Sequence, residues 1–225
     1  YLAWYACNLI LLWCTPLVLW PFIRNLHRDF HFIAILLGSM LTVVVCLILG
    51  QDSLLLLLLI AAAYVSQERN QYLRSGFFLG LAMFKFQFVL PILAVFLLAR
   101  MWKVVAGFGI ALFALTTGSF AMIGVRPTLD YLPFVFAFGK HISSNASART
   151  ALMPNTRGLV SLILGGALNP RSQTILILLI SAAVFGIVAY WYLTSTSRPL
   201  SWRFAGLVTM SSLVSYHDYV YNAVL

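Results

Sequence analysis

The sequence has few charged residues: Asp, Glu, Lys and Arg make up 8% of its 225 residues, and only five residues are acidic. A soluble domain has about 25% charged residues, so this scarcity excludes an ordinary soluble fold. Regular alternation of apolar and polar residues is also missing, which argues against a membrane barrel of strands. Hydrophobic residues account for 62% of the chain, and several apolar runs reach the roughly 20 residues that a spanning helix needs. The composition predicts an integral membrane protein built from helices.

Cysteine is scarce as well, with three residues, Cys7, Cys14 and Cys46. On one helix Cys7 and Cys14 would be roughly 10 Å apart, too far for a disulfide. The chain has no CxxC pair and no His–Cys cluster, so we predict no metal site and no cofactor. The net charge of +9 comes without a basic patch interleaved with aromatic residues. We therefore assign it to loops facing the cytoplasm and to membrane lipid, and predict no nucleic-acid partner.

A starting methionine and a signal-peptide pattern are both missing. The chain starts at Tyr1 and ends at Leu225, in each case inside a hydrophobic stretch. We expect residues 1–225 to form a single transmembrane domain. We also expect this domain to be a fragment of a longer multi-pass chain with N-terminal spans, and C-terminal ones, outside the sequence.

The apolar runs predict helices of unequal length, and Pro16 and Pro21 are expected to break the first of them. The longer runs are Tyr1–Ile23, Phe32–Leu49, Gly76–Ala99, Val104–Gly124 and Thr174–Leu193; the shorter ones are Leu54–Val65, Gly158–Leu168 and Phe204–Ser215. Val125–Arg157 is the longest polar connection. Within the run Gly76–Ala99, Gly76 and Gly80 form a GxxxG pair that is typical of close helix packing.

Lys85 lies inside the run Gly76–Ala99, ten residues after Ser75 and fifteen before Arg100. A charge at bilayer depth costs roughly 2.5–3.5 kcal/mol on insertion scales, so its default interpretation is a functional one. The alternative is a lysine whose stem snorkels to the interface. The run itself either crosses the membrane once or forms a hairpin of two half-helices that turns near Lys85.

The hairpin is the topology that we favour, because it collects the polar residues into two groups. One face, which would be cytoplasmic, then carries the basic residues Arg24, Arg28, Arg69, Arg74, Arg100, Lys103, Arg198 and Arg203. The opposite face receives Gln51–Asp52, the loop Val125–Arg157 and His217–Asp218. A single crossing would scatter these groups to both sides of the membrane.

Three short segments supply the other candidate site residues. Asp52 or Ser53 can cap the helix that follows, and this short helix would begin below the membrane surface, where its free N–H groups favour an anion. Asp52 itself would repel a phosphate, so we expect it to orient a sugar hydroxyl, an amide donor or a basic partner. The candidate substrate-binding residues are Lys85, His217, Arg157, Gln51, Asp52, Gln87, Asn155 and Asp218. The alternatives without a functional role are a helix cap at Met153–Arg157, an aromatic belt around His217 and solvated loop side chains.

The order of several motifs resembles glycosyltransferase family 87, a family once listed as a domain of unknown function. Gly50-Gln51-Asp52-Ser53 before a leucine run is similar to the family's Gly-Gln motif, and Ser75–Lys85 to its glycine-rich stretch ending in a lysine. Arg100–Lys103, Asn155–Gly158 and Ser215–Asn222 resemble its basic and later polar motifs. The sequence departs from the family where Phe86–Gln87 replaces a frequent proline.

The resemblance implies an all-α, polytopic transmembrane bundle of GT-C type with broken or re-entrant helices. It implies a polyprenyl-phosphate sugar donor, often carrying mannose, and a lipid or glycan acceptor on the outer face of a bacterial cytoplasmic membrane. It also implies an acidic catalytic residue in an outer loop, which we expect upstream of Tyr1, so no catalytic residue is assigned here. The rival hypothesis is a transporter or flippase for an anionic lipid or solute, which broken helices and a buried cation suit equally well.

Overall fold

The computed structural model describes residues 2–23, 39–49, 51–131, 133–134, 153–164 and 167–215, and what it describes is helical, without strands. Labelled helices are α1 (Leu2–Ile23), α2 (Leu41–Leu49), α3 (Ser53–Glu68), α4 (Tyr72–Leu81), α5 (Phe86–Leu98), α6 (Trp102–Ile123), α7 (Thr156–Leu164), α8 (Pro170–Thr194) and α9 (Leu200–Val214). Leu2–Phe22, Tyr72–Leu98, Trp102–Ile123 and Pro170–Thr194 are each long and apolar enough to cross a membrane. The prediction of an all-α membrane helix bundle is confirmed.

Helix α1 continues through Pro16 and Pro21, so neither proline ends the helix as the predicted break would. A proline removes one backbone donor, and spanning helices tolerate this where side chains and neighbouring helices stabilise the backbone. Beside Pro16, the Thr15 hydroxyl donates to the Leu11 carbonyl at 3.0 Å. Of the predicted span Phe32–Leu49, residues 32–38 lie outside the described residues.

The segment Tyr72–Leu98 folds back on itself instead of crossing the bundle once. Helix α4 runs beside α6 in parallel, since a Cβ on Gly76 would meet Val104, and one on Gly80 would meet Phe108 and Ala111. Two neighbouring parallel helices require the chain between them to return, and α5 is that return. The 3-10 segment Ala82–Lys85 makes the turn. The favoured hairpin is therefore the observed topology, with Lys85 at its tip.

Small residues on both helices let α4 and α6 approach to backbone contact. A Cβ on Gly107 would meet the Leu73 carbonyl and the backbone nitrogen of Phe77, while a Cβ on Gly76 would meet the Val104 carbonyl. The predicted packing role of the Gly76–Gly80 pair is confirmed. Its partner surface is the stretch of α6 from Val104 to Ala111.

We expect Gly107→Leu to destabilise the protein by at least about 1–3 kcal/mol, because the leucine would displace backbone and not a flexible side chain. Gly109 and Gly118 lie on the same helix with nothing within 4 Å of an added Cβ. Gly109→Leu and Gly118→Leu are thus matched controls, and their melting temperatures in detergent should stay near that of the wild type. Equal losses in all three variants would contradict this packing.

The turns that follow α3 and α5 gather basic residues at one end of the bundle, which we call the basic end. It carries Arg69, Arg74, Arg100, Lys103, Arg198 and Arg203. Asn70 and Arg100 adopt left-handed backbone, with φ of 58° and 54°. This closes each helix by a bond from the next N–H, Gln71 to Ser66 O at 2.7 Å and Met101 to Phe96 O at 3.0 Å.

Among the described residues, the shorter helices end below the longer ones at the opposite end of the bundle, and we call the step between them the recess. From the basic end, α3, α9 and the segment Tyr72–Lys85 rise by roughly 22–24 Å at 1.5 Å per α-helical and 2.0 Å per 3-10 residue. Helices α6 and α8, of 22 and 25 residues, rise by roughly 33 and 37 Å. Asp52, Lys85 and Ser215 therefore end at a similar depth, below the ends of the long helices. We call this level the recessed layer.

Candidate functional site

An ion pair lies at the tip of the hairpin. Lys85 Nζ is 2.8 Å from Asp52 Oδ1, and the two side chains are 12% and 37% exposed. The sequence placed both residues at one face but did not pair them. Of the partners expected for Asp52, the one that the structure shows is basic, namely Lys85. Lys85 is held by a carboxylate.

Asp52 occupies the N-cap position of α3, but its side chain makes no capping hydrogen bond. The predicted capping role of this side chain is therefore wrong, because the carboxylate is drawn to Lys85 instead. The Asp52 carbonyl still accepts from the N–H groups of Leu55 and Leu56, at 3.1 and 3.2 Å. Ser53 is fully buried and hydrogen-bonded to the thiol of Cys46, which lies within electrostatic reach of the ion pair.

The backbone at Lys85 leaves the helical region, with φ of −111° and ψ of 54°. The residue thus ends the 3-10 turn and precedes the first residue of α5, Phe86. This break allows the side chain to project from the tip of the hairpin towards Asp52. Gln87 lies in the first turn of α5 and is half-buried.

A second polar cluster joins α5, α7 and α9 at the same depth. The Ser211 hydroxyl donates to the Phe88 carbonyl, three residues beyond Lys85. One turn further along α9, the Ser215 carbonyl accepts from Asn155 Nδ2 at 2.7 Å. Asn155 Oδ1 in turn accepts from the N–H of Gly158 at 2.8 Å. The alternative of a helix cap at Met153–Arg157 is therefore confirmed for Asn155.

Arg157 brings a second buried cation to this region. It follows the Asn155 cap on the first turn of α7, and only 9% of the residue is exposed. The neighbouring Thr156 hydroxyl is 2.8 Å from that of Ser181 on α8. Ser181 is 13 residues before the end of α8, which places it roughly 20 Å above the basic end, in the recessed layer.

The polar groups lie one after another along the recessed layer. Asp52 pairs with Lys85, and three residues beyond Lys85 the Phe88 carbonyl accepts from the Ser211 hydroxyl. One turn beyond Ser211 the Ser215 carbonyl accepts from Asn155, two residues before Arg157. Gln51 is part of the same turn as Asp52, and its N–H donates to the Cys46 carbonyl at 3.0 Å. His217 and Asp218, two and three residues beyond Ser215, lie outside the described residues.

The electrostatics of this layer favour an anion. Lys85, whose side chain is 12% exposed, and the buried Arg157 supply two positive charges, and the Asp52 carboxylate pairs with Lys85. Helices α3, α5 and α7 all begin here, at Ser53, Phe86 and Thr156. Each helix start carries the positive end of the helix dipole. These positive charges and helix starts together would stabilise an anionic group the size of a phosphate.

We predict that Asn155→Ala destabilises the protein more than Asn169→Ala does. Asn169 also caps a helix, accepting from the Ser172 N–H at 2.8 Å, but it is exposed. Losing that cap should cost about 1 kcal/mol. Losing Asn155 removes a cap and also leaves the Ser215 carbonyl without its donor, a further cost of about 1–3 kcal/mol. Melting temperatures of the two variants compare them, and equal losses would contradict the bridging role of Asn155.

Ser53, Ser211 and Ser215 are site residues that the sequence analysis did not select. A serine in an apolar helix usually donates to its own helix, as Ser66 does to the Ala62 carbonyl at 2.7 Å. Nothing in the pattern distinguishes Ser211, whose acceptor lies 123 residues away. Only the packing of α9 on α5 reveals it.

The family model of glycosyltransferase family 87 matches residues 1–215. This range includes the ion pair, the Asn155 cap and all of the described helices. No curated protein matches the chain. No solved structure matches it either.

Proposed function

The chain belongs to glycosyltransferase family 87, and from this premise we propose a donor, an acceptor and a site for a membrane glycosyltransferase. The donor is a polyprenyl-phosphate hexose, with mannose the first sugar to test, and the acceptor is a lipid or glycan. Transfer takes place on the extracytoplasmic face of a bacterial cytoplasmic membrane. The basic end faces the cytoplasm, as short basic loops do.

The observation that carries the proposal is Lys85 at the tip of a re-entrant hairpin, in a recess that also holds Arg157 and three helix N-termini. A donor whose phosphate is attached to a membrane chain presents that phosphate at the lipid interface. The recess lies a short distance below the outer ends of the long helices, so both the phosphate and its chain can reach it. Irregular backbone at this depth is tolerated where it lines such a cavity.

In the proposed reaction the acceptor hydroxyl attacks the anomeric carbon of the sugar. A new bond forms from that carbon to the acceptor oxygen, and the bond to the phosphate oxygen breaks. Lys85 and Arg157 stabilise the negative charge that develops on the departing phosphate, and His217 is a further candidate for this role. Asn155 and Gln87 are proposed to contact the donor, and Gln51, Asp52 and Asp218 to orient it or the acceptor.

A carboxylate would take the proton of the acceptor hydroxyl. We do not assign Asp52 to this role, because it is already engaged with Lys85. The base is proposed to lie outside residues 1–225.

The test uses the full-length protein in membranes with radiolabelled polyprenyl-phosphate sugars. We expect the label to enter a lipid or glycan product from polyprenyl-phosphate mannose, and not from a nucleotide-linked sugar supplied in a strain without polyprenyl-phosphate sugar synthase. Movement of labelled lipid across the bilayer with no new glycosidic bond would instead support a flippase. Transfer from the nucleotide sugar alone would contradict the proposed donor.

A further inference from the structure

A lateral groove lies at the basic end, on the far side of the bundle from the recess. Its volume is about 440 Å³, within the range of small-molecule sites. Three helices form it: Val18 comes from α1, Ala62 and Val65 from α3, and Phe77 and Phe78 from α4. The groove therefore has apolar walls, and an apolar chain lying in it would contact all three helices.

Two arginines stand at the mouth of this groove. Arg69 lies in the turn after α3 and Arg74 in the first turn of α4, and both are exposed. Arg74 Nη1 donates to Gln71 Oε1 at 3.1 Å, which orients its guanidinium beside the groove. The left-handed backbone at Asn70 holds the turn between the two arginines.

Among the described residues that line the groove there is no carboxylate to neutralise these charges. Glu68 is the acidic residue next to Arg69 in the sequence, but it lines a different cavity, with Tyr72 and Arg203. Its Oε1 accepts from the Tyr64 hydroxyl at 3.0 Å. The mouth of the groove therefore carries two positive charges above apolar walls.

We propose that this groove binds an anionic phospholipid of the cytoplasmic leaflet. The headgroup phosphate would lie between Arg69 and Arg74, whose planar guanidinium groups can each donate two hydrogen bonds to it. One acyl chain would lie along Val18, Phe77 and Phe78. Charge complementarity selects the occupant, because the cytoplasmic leaflet is rich in anionic lipids and a zwitterionic lipid has no net charge to offer.

The second basic pair, Arg100 and Lys103, provides a matched control. It lines a separate surface cavity with Tyr72, Met101 and Trp102. This pair carries the same charge as Arg69 and Arg74 and lies at the same end of the bundle. It does not line a groove walled by three helices. General attraction of anionic lipid to the basic end would affect both pairs alike.

The test is lipid binding to the purified full-length protein in neutral detergent, measured by native mass spectrometry and by melting temperature. We expect dioleoyl phosphatidylglycerol to bind about tenfold or more tightly than dioleoyl phosphatidylcholine and to raise the melting temperature. Arg69→Gln with Arg74→Gln should abolish this preference. Arg100→Gln with Lys103→Gln should preserve it.

Two further arms keep the result interpretable. Arg69→Lys with Arg74→Lys should retain most of the preference, which separates loss of charge from misfolding. Soluble glycerol phosphate should not raise the melting temperature, since it has no chain to occupy the groove. Equal losses in the two glutamine variants, or a preference that survives Arg69→Gln with Arg74→Gln, would overturn the proposal.

Discussion

Lys85→Met should reduce kcat/KM for transfer from a polyprenyl-phosphate sugar by about 10²–10³-fold. Removing one preorganised group that stabilises developing charge costs about this much in other active sites. Methionine is unbranched and only one heavy atom shorter than lysine, so it keeps most of the apolar stem while removing the charge. Asp52 is 37% exposed, so water can solvate it once its partner is gone, and we expect the variant to fold.

Lys103→Met is the matched control for this substitution. Lys103 is exposed at the basic end, on the opposite side of the proposed membrane from the recess. Its variant should retain wild-type turnover in the same membrane preparation. A Lys85→Met enzyme that folds with wild-type melting temperature and wild-type turnover would remove Lys85 from the proposed site.

The second large effect concerns Asp52, whose contribution to the reaction rate should depend on the presence of Lys85. We expect Asp52→Asn to reduce kcat/KM about tenfold, equal to about 1.4 kcal/mol, because an amide holds the ammonium group less firmly than a carboxylate does. In a Lys85→Met background the same substitution should have no further effect, since there is no lysine left to position.

A kinetic double-mutant cycle measures this coupling. Asp52→Glu supplies a further comparison, because it keeps the charge and should restore part of the lost activity. If Asp52 were the general base, Asp52→Asn would reduce the rate at least as strongly as Lys85→Met. Additive effects of the two substitutions would likewise show that Asp52 does not act through Lys85.

The helices, and which of their ends carry basic residues, were predictable because long apolar runs and short basic loops are local signals. The run Leu54–Val65 became α3, extended by three residues to Glu68 because polar residues continue a helix readily once it is formed. The hairpin was predictable for a different reason. One assumption, a turn near Lys85, placed the basic residues and the candidate site residues at opposite ends.

The partners of the site residues were not predictable, because they are far apart in the sequence. Asp52 and Lys85 are separated by a complete helical hairpin, and Asn155 contacts a carbonyl 60 residues away. Asp52 or Ser53 was expected to cap α3, but the Asp52 carboxylate pairs with a nearby cation and makes no such local bond. Likewise Gly76 and Gly80 indicated a close contact, but Gly107 and Ala111 could be identified as its other side only from the packed helices.

The most direct test of the recess as a phosphate site is the binding of polyprenyl phosphate, the proposed leaving group, to the full-length protein. The matched ligand is the uncharged polyprenol of the same chain length. We predict that Lys85→Met weakens binding of the phosphate by at least tenfold and leaves polyprenol binding unchanged, while Lys103→Met alters neither. Equal affinity of the wild type and Lys85→Met for polyprenyl phosphate would contradict the account.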